Sequence, residues 1–88
     1  KLDCRIVKMN AAAIPKAKVL KKSEGMLKAL IDNKTGSIVG AALFCAESHE
    51  IINAIKLAMD NNLPYTALRD FIYTHPTMSE GLNDLFSL

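Results

Sequence analysis

Two apolar, strand-forming runs, residues 26–32 and 37–45, are joined by Asp32-Asn33-Lys34-Thr35-Gly36. That spacer has the composition of a hairpin loop, with Gly36 suited to a left-handed backbone position. A hairpin here makes an antiparallel pair the nucleus of whatever fold the chain adopts. The second run, Ile38-Val39-Gly40-Ala41-Ala42-Leu43-Phe44-Cys45, is apolar on both faces. It is expected to be a central strand covered on both sides. Gly40 within it predicts a close backbone approach or a bulge.

The flanking sequence adds strands before the hairpin and helices after it. Residues 2–9 alternate, with Leu2, Cys4 and Ile6 on one side and Asp3, Arg5, Val7 and Met9 on the other, as a strand requires. Pro15 cannot donate to a ladder and marks a strand end, an edge or a bulge. Residues 17–20 then form a short further strand, and Ser23-Glu24-Gly25 a turn. Residues 46–61 repeat Ile51, Ala54/Ile55 and Ala58 at helical spacing, with Glu47 and Glu50 near the positive end of the dipole. Asp60-Asn61-Asn62 ends this helix with an Asn in the left-handed cap role. Pro64 opens a short helix over 65–70. Phe71-Ile72-Tyr73 reads as a β-prone bridge. A last helix over 78–86 carries Leu82, Leu85 and Phe86 on one face. Strands followed by helices predict an α+β fold: an antiparallel β-sheet with helices packed against it.

Composition narrows the function classes. A chain of 88 residues makes one domain at most and buries roughly 60–65% of its surface. With 50% hydrophobic residues it carries surplus apolar surface, which a partner would cover. Net charge is +2, and the one basic cluster, Lys16, Lys18, Lys21 and Lys22, has no arginine and no interleaved aromatic. It reads as a solvated loop or strand edge, so no nucleic-acid partner is expected. Cys4 and Cys45 stand at neither a metal spacing nor a CxxC spacing, and no metal site is expected. They read as two small buried hydrophobes, with a disulfide between them left open. There is no 18-residue apolar run and no signal peptide, so no membrane association is expected. The chain opens at Lys1 in strand-like sequence without an initiator Met, which predicts a fragment of something longer.

The densest chemistry lies in His75-Pro76-Thr77-Met78-Ser79-Glu80. Thr77-x-x-Glu80 fits a capping box, with Thr77 at the N-cap and Glu80 at N3. A side chain at N3 turns back over the first turn, toward His75. A carboxylate on one imidazole nitrogen fixes the tautomer and leaves the other nitrogen to move a proton near neutral pH. Pro76 stiffens the backbone between them, where a cis His75-Pro76 bond is plausible. His49 reads as a polar surface histidine or a satisfied core one. The pair lacks a nucleophile or a substrate pocket in its own chain.

His75-Pro76-Thr77 followed by Glu80, and preceded by Leu63-Pro64-Tyr65-Thr66-Ala67-Leu68-Arg69-Asp70, resembles the C-terminal dimerisation domain of the FAD-dependent pyridine nucleotide-disulfide oxidoreductases. Glutathione reductase, dihydrolipoamide dehydrogenase and mercuric reductase belong to that family. The hairpin, the helix with Glu50-Ile51-Ile52 and the ending Leu82-Asn83-Asp84-Leu85-Phe86 fall in family order, so the resemblance covers nearly the whole chain. It implies that residues 1–88 are an interface domain, truncated at its N-terminal end, that pairs two subunits as a homodimer. It implies that His75, oriented by Glu80, enters the partner subunit's flavin and dithiol site as an acid/base. The backbone at His75 and Pro76 would lie near the partner's FAD. The parent would be a cytoplasmic, NAD(P)H-dependent oxidoreductase, with FAD- and NAD(P)-binding domains elsewhere in its chain. This chain has no G-x-G-x-x-G fingerprint and no C-x-x-x-x-C pair, so alone it should bind neither cofactor and be inactive. No cysteine pair follows Leu85, which turns the comparison from mercuric reductases and high-molecular-weight thioredoxin reductases toward bacterial reductases of the reactive-chlorine-resistance type. The substrate, and NADH against NADPH, lie with the absent domains. The competing expectation is a free-standing α+β interaction or regulatory module with no catalytic role.

Overall fold

A computed structural model describes residues 3–22 and 24–88. The hairpin is there: β2 (Met26–Asp32) and β3 (Ile38–Phe44) pair antiparallel. The Asp32 carboxylate closes the loop by accepting the Lys34 N–H at 2.8 Å, and Gly36 takes the left-handed position at φ +76°. β1 (Cys4–Asn10) pairs antiparallel with the other side of β2, giving the order β1-β2-β3. β2 is therefore the central strand and β3 an edge of the described sheet, contrary to the expectation from composition. β3 is apolar on both faces without being covered on both: Phe44 is 82% exposed and Val39 also faces solvent. Register slips between Leu30 and Ile31, so that Leu30 opposes Gly40 while Ile31 opposes Ile38. The bulge expected near Gly40 is thus present, with Val39 as the extra residue.

The segment after β1 is helical, not extended. A single 3₁₀ turn, Ala11–Ala13, leads into α1 (Pro15–Leu20). Pro15 occupies the first helical position, where its fixed φ suits the turn and its missing N–H costs nothing. The strand expected over 17–20 is replaced for that reason. The four clustered lysines belong to α1 and its end, with Lys21 in the left-handed conformation at φ 57°. Leu2 and Ser23, parts of the expected first strand and first turn, lie outside the described residues.

α2 (Ser48–Asp60) packs across β3 and buries Ile51, Ile55 and Ala58. It starts after Glu47, which is left-handed at φ 59°, and Asn62 fills the left-handed role beyond its end at φ 56°. α3 (Tyr65–Asp70) follows Pro64 and is tied to the hairpin loop by Tyr65 N–H donating to the Gly36 carbonyl at 2.8 Å. Residues 71–77 form an irregular connection in place of the expected β bridge. A 3₁₀ turn, Met78–Glu80, then runs into α4 (Gly81–Leu85).

The core lies between the inner sheet face and the helices. Val7, Leu27, Ala29 and Ile31 meet Ile14, Ile51, Ile55, Met78, Leu82, Leu85 and Phe86, and no polar residue is buried among the described ones. Alternation in β1 is as expected, with Val7 turned in and Ile6 out. Cys4 and Cys45 are free and half-buried, not fully buried as expected. The result is an α+β fold with one sheet face covered by helices and the other bare.

Candidate functional site

His75 rides on the connection between α3 and the last 3₁₀ turn, and that connection is tied at both ends. At the exit, the Glu80 carboxylate accepts the Thr77 backbone N–H at 2.8 Å, and both halves of a capping box between Thr77 and Glu80 are present. The Thr77 hydroxyl donates back to the Thr74 carbonyl at 2.8 Å. The His75–Pro76 peptide is cis. At the entry, the Tyr73 hydroxyl donates to the Leu68 carbonyl at 2.9 Å, and the Asn83 amide nitrogen donates to the carbonyls of Arg69 and Phe71 at 2.8 and 2.9 Å. Burial pushes the Tyr73 phenol up to about 12, so it remains a donor throughout the neutral range.

Between these ties the imidazole and the carboxylate meet. His75 Nδ1 lies 2.9 Å from one Glu80 carboxylate oxygen and 3.1 Å from the other. An ionised carboxylate only accepts, so Nδ1 carries a proton, and in the neutral ring the lone pair is left on Nε2. The Glu80 carboxyl is held below the ordinary carboxylate range, first by the Thr77 N–H and then by the His75 hydrogen bond. The imidazole side chain is 71% exposed, while Glu80 is only 21% exposed. Glu80 is thus the more shielded partner, and the imidazole is the one turned to solvent.

Burial raises the Cys45 thiol above its usual value, which keeps it protonated and a poor nucleophile. No group of three metal-ligating side chains occurs among the described residues. Pro76 is exposed beside His75. Tyr73 and Asn83 were not singled out by any motif, because the carbonyls they hold belong to a helix end that sequence spacing does not identify.

The α+β fold coincides with that of a described family. Residues 1–86 match the model of the pyridine nucleotide-disulphide oxidoreductase dimerisation domain, and the chain belongs to that family. A probable pyridine nucleotide-disulfide oxidoreductase of Escherichia coli, RclA, is 56% identical over 98% of this chain and 20% of its own length. A dihydrolipoyl dehydrogenase of Rhizobium etli is 35% identical over 93% of this chain and 17% of its own. The solved structure of the HOCl-induced flavoprotein disulfide reductase RclA from Escherichia coli superposes with a TM-score of 0.97 at 55% identity, covering 99% of this chain and 20% of that one. The chain thus spans about a fifth of the length of these relatives, or less.

Proposed function

We propose that residues 1–88 are the interface domain of a longer, cytoplasmic, FAD- and NAD(P)H-dependent oxidoreductase of the disulfide-reductase type. In that parent the domain pairs two subunits as a homodimer and lends His75, oriented by Glu80, to the partner's flavin site. The observation that carries this reading is the exposed imidazole with its Nδ1 held by a carboxylate, on a domain of this family. Surplus apolar surface supports a domain made to be covered. Leu57, Phe71 and Ile72 are exposed on the helical side, and Ile6, Met26 and Phe44 on the bare sheet face. Ile72, at 91% exposure, lies three residues before His75, so apolar surface adjoins the imidazole along the chain. The free cysteines suit a reducing compartment. No helix among the described residues is long and apolar enough to cross a membrane.

His75 and Pro76 project from the surface, which fits a contribution to a flavin held by another subunit and not a flavin held here. The flavin, when bound, would relay two electrons between nicotinamide and a disulfide. The part of this chain is the proton. Nε2 takes the proton as a substrate thiol becomes a thiolate, and returns it to the thiolate that leaves in the reverse direction. Glu80 stabilises the imidazolium in between. Replacing His75 by Gln in the parent should slow the dithiol–disulfide step by about 10²–10⁴-fold. Reduction of the flavin by nicotinamide should be spared, and stopped-flow measurement of the two half-reactions separates these. An unchanged dithiol step would leave the domain a purely architectural role.

A further inference from the structure

α3 ends without a cap of its own. The residue after it, Phe71, is extended at φ −65° and ψ 141°, so no left-handed turn meets the last helical carbonyls. They are met from α4. Asn83 Nδ2 lies 2.8 Å from the Arg69 oxygen and 2.9 Å from the Phe71 oxygen, with the Leu68 oxygen further off at 3.5 Å. An amide nitrogen has two hydrogens, and the two short bonds use both. The Tyr73 hydroxyl takes the Leu68 oxygen. The two carbonyls held by Asn83 flank Asp70, the point where the helix gives way to the chain that leads to His75. Asn83 also follows Glu80 by three residues, across the junction of the 3₁₀ turn with α4. One short helical stretch therefore holds both the carboxylate on the imidazole and the amide that fixes the backbone arriving at it.

We propose that Asn83 is a positioning residue for His75: by clamping the Arg69 and Phe71 carbonyls it sets where the 71–75 segment departs, and so keeps Nδ1 within reach of Glu80. Its consequence for catalysis rests on the acid/base role above; its consequence for the imidazole does not. Asn83→Ala removes the two donors. Asn83→Asp keeps the shape but sets oxygen against carbonyl oxygen.

The test uses the full-length parent with ¹⁵N-labelled histidine. In both variants the His75 nitrogen signals should move from a single Nδ1–H tautomer toward a mixture. The dithiol–disulfide step should fall roughly ten- to hundred-fold, as expected for misplacement of a reacting group. Flavin reduction should hold. Asp84→Asn, on an exposed neighbour in α4, should change neither signal nor rate. If Asn83→Ala and Asn83→Asp fail to fold, Asn83→Gln, which keeps both donors one methylene further out, carries the same readout. Folded variants with unchanged His75 signals and only a lowered melting temperature would overturn the proposal, leaving Asn83 a helix cap. The two readings fail separately. If His75→Gln leaves the dithiol step intact while Asn83 variants still shift the tautomer, the acid/base role falls and positioning stands. If His75→Gln slows the step and Asn83 variants move nothing, the reverse holds.

Discussion

Glu80 serves two neighbours with one carboxylate, the Thr77 N–H and the His75 imidazole, and both favour its ionised form. Its pKa is depressed in the folded chain, so its contribution to stability is fully present above the ordinary carboxylate value and lost as pH falls through the depressed one. A Glu80→Gln variant should therefore be less stable than the parent sequence at neutral pH. The difference should shrink below about pH 4, where the unfolded carboxyl also gains its proton. Denaturant melts across that range check this, and a difference that does not depend on pH would mean the charge contributes nothing. Much of this site was legible. Thr77-x-x-Glu80 has the spacing of a capping box, and an N3 side chain turns toward the residues before the cap. Asn83 was not legible, because its bonds to Arg69 and Phe71 join residues 14 and 12 apart in the chain. No local spacing announces which carbonyls a side-chain amide will find.

Elements were legible where a local rule decided them and not where the neighbours did. The hairpin followed from its loop chemistry, and α2 from its apolar repeat. Pro15 reads in sequence as a strand end, an edge or a bulge, whereas in the fold it starts a helix, and Ile14 before it and Ala17 within that helix pack into the core. Apolar composition suggested a central β3, but composition cannot tell a strand buried on both sides from an edge strand whose outer face awaits a cover. The junction of β2 with β3 supplies a sharp test. Gly25 stands at φ +117°, and a Cβ there would lie 1.8 Å from the Phe44 carbonyl oxygen. Gly25→Ala combines backbone strain with an impossible overlap, and Met26 would have to part from Phe44. It should cost more than about 2 kcal/mol in chemical denaturation. Retained stability would mean that the two backbones do not approach as described.

For the molecule as a whole, the unequal faces carry the meaning. One face of the sheet is sealed by helices over an all-apolar core, while Ile6, Met26 and Phe44 stand exposed on the other face and Leu57, Phe71 and Ile72 on the helical side. His75 follows the exposed Phe71 and Ile72 in the chain and is held by Glu80. The central claim is that the imidazole works in the subunit across the interface. Hybrid dimers of the parent test it most directly. One subunit carries His75→Gln with an intact flavin site; the other keeps His75 but has its flavin site disabled. If His75 acts across the interface, the intact flavin site receives the good histidine, and the hybrid shows one working site in two. If His75 acts within its own subunit, neither site is complete; a hybrid as inactive as either homodimer would contradict the account.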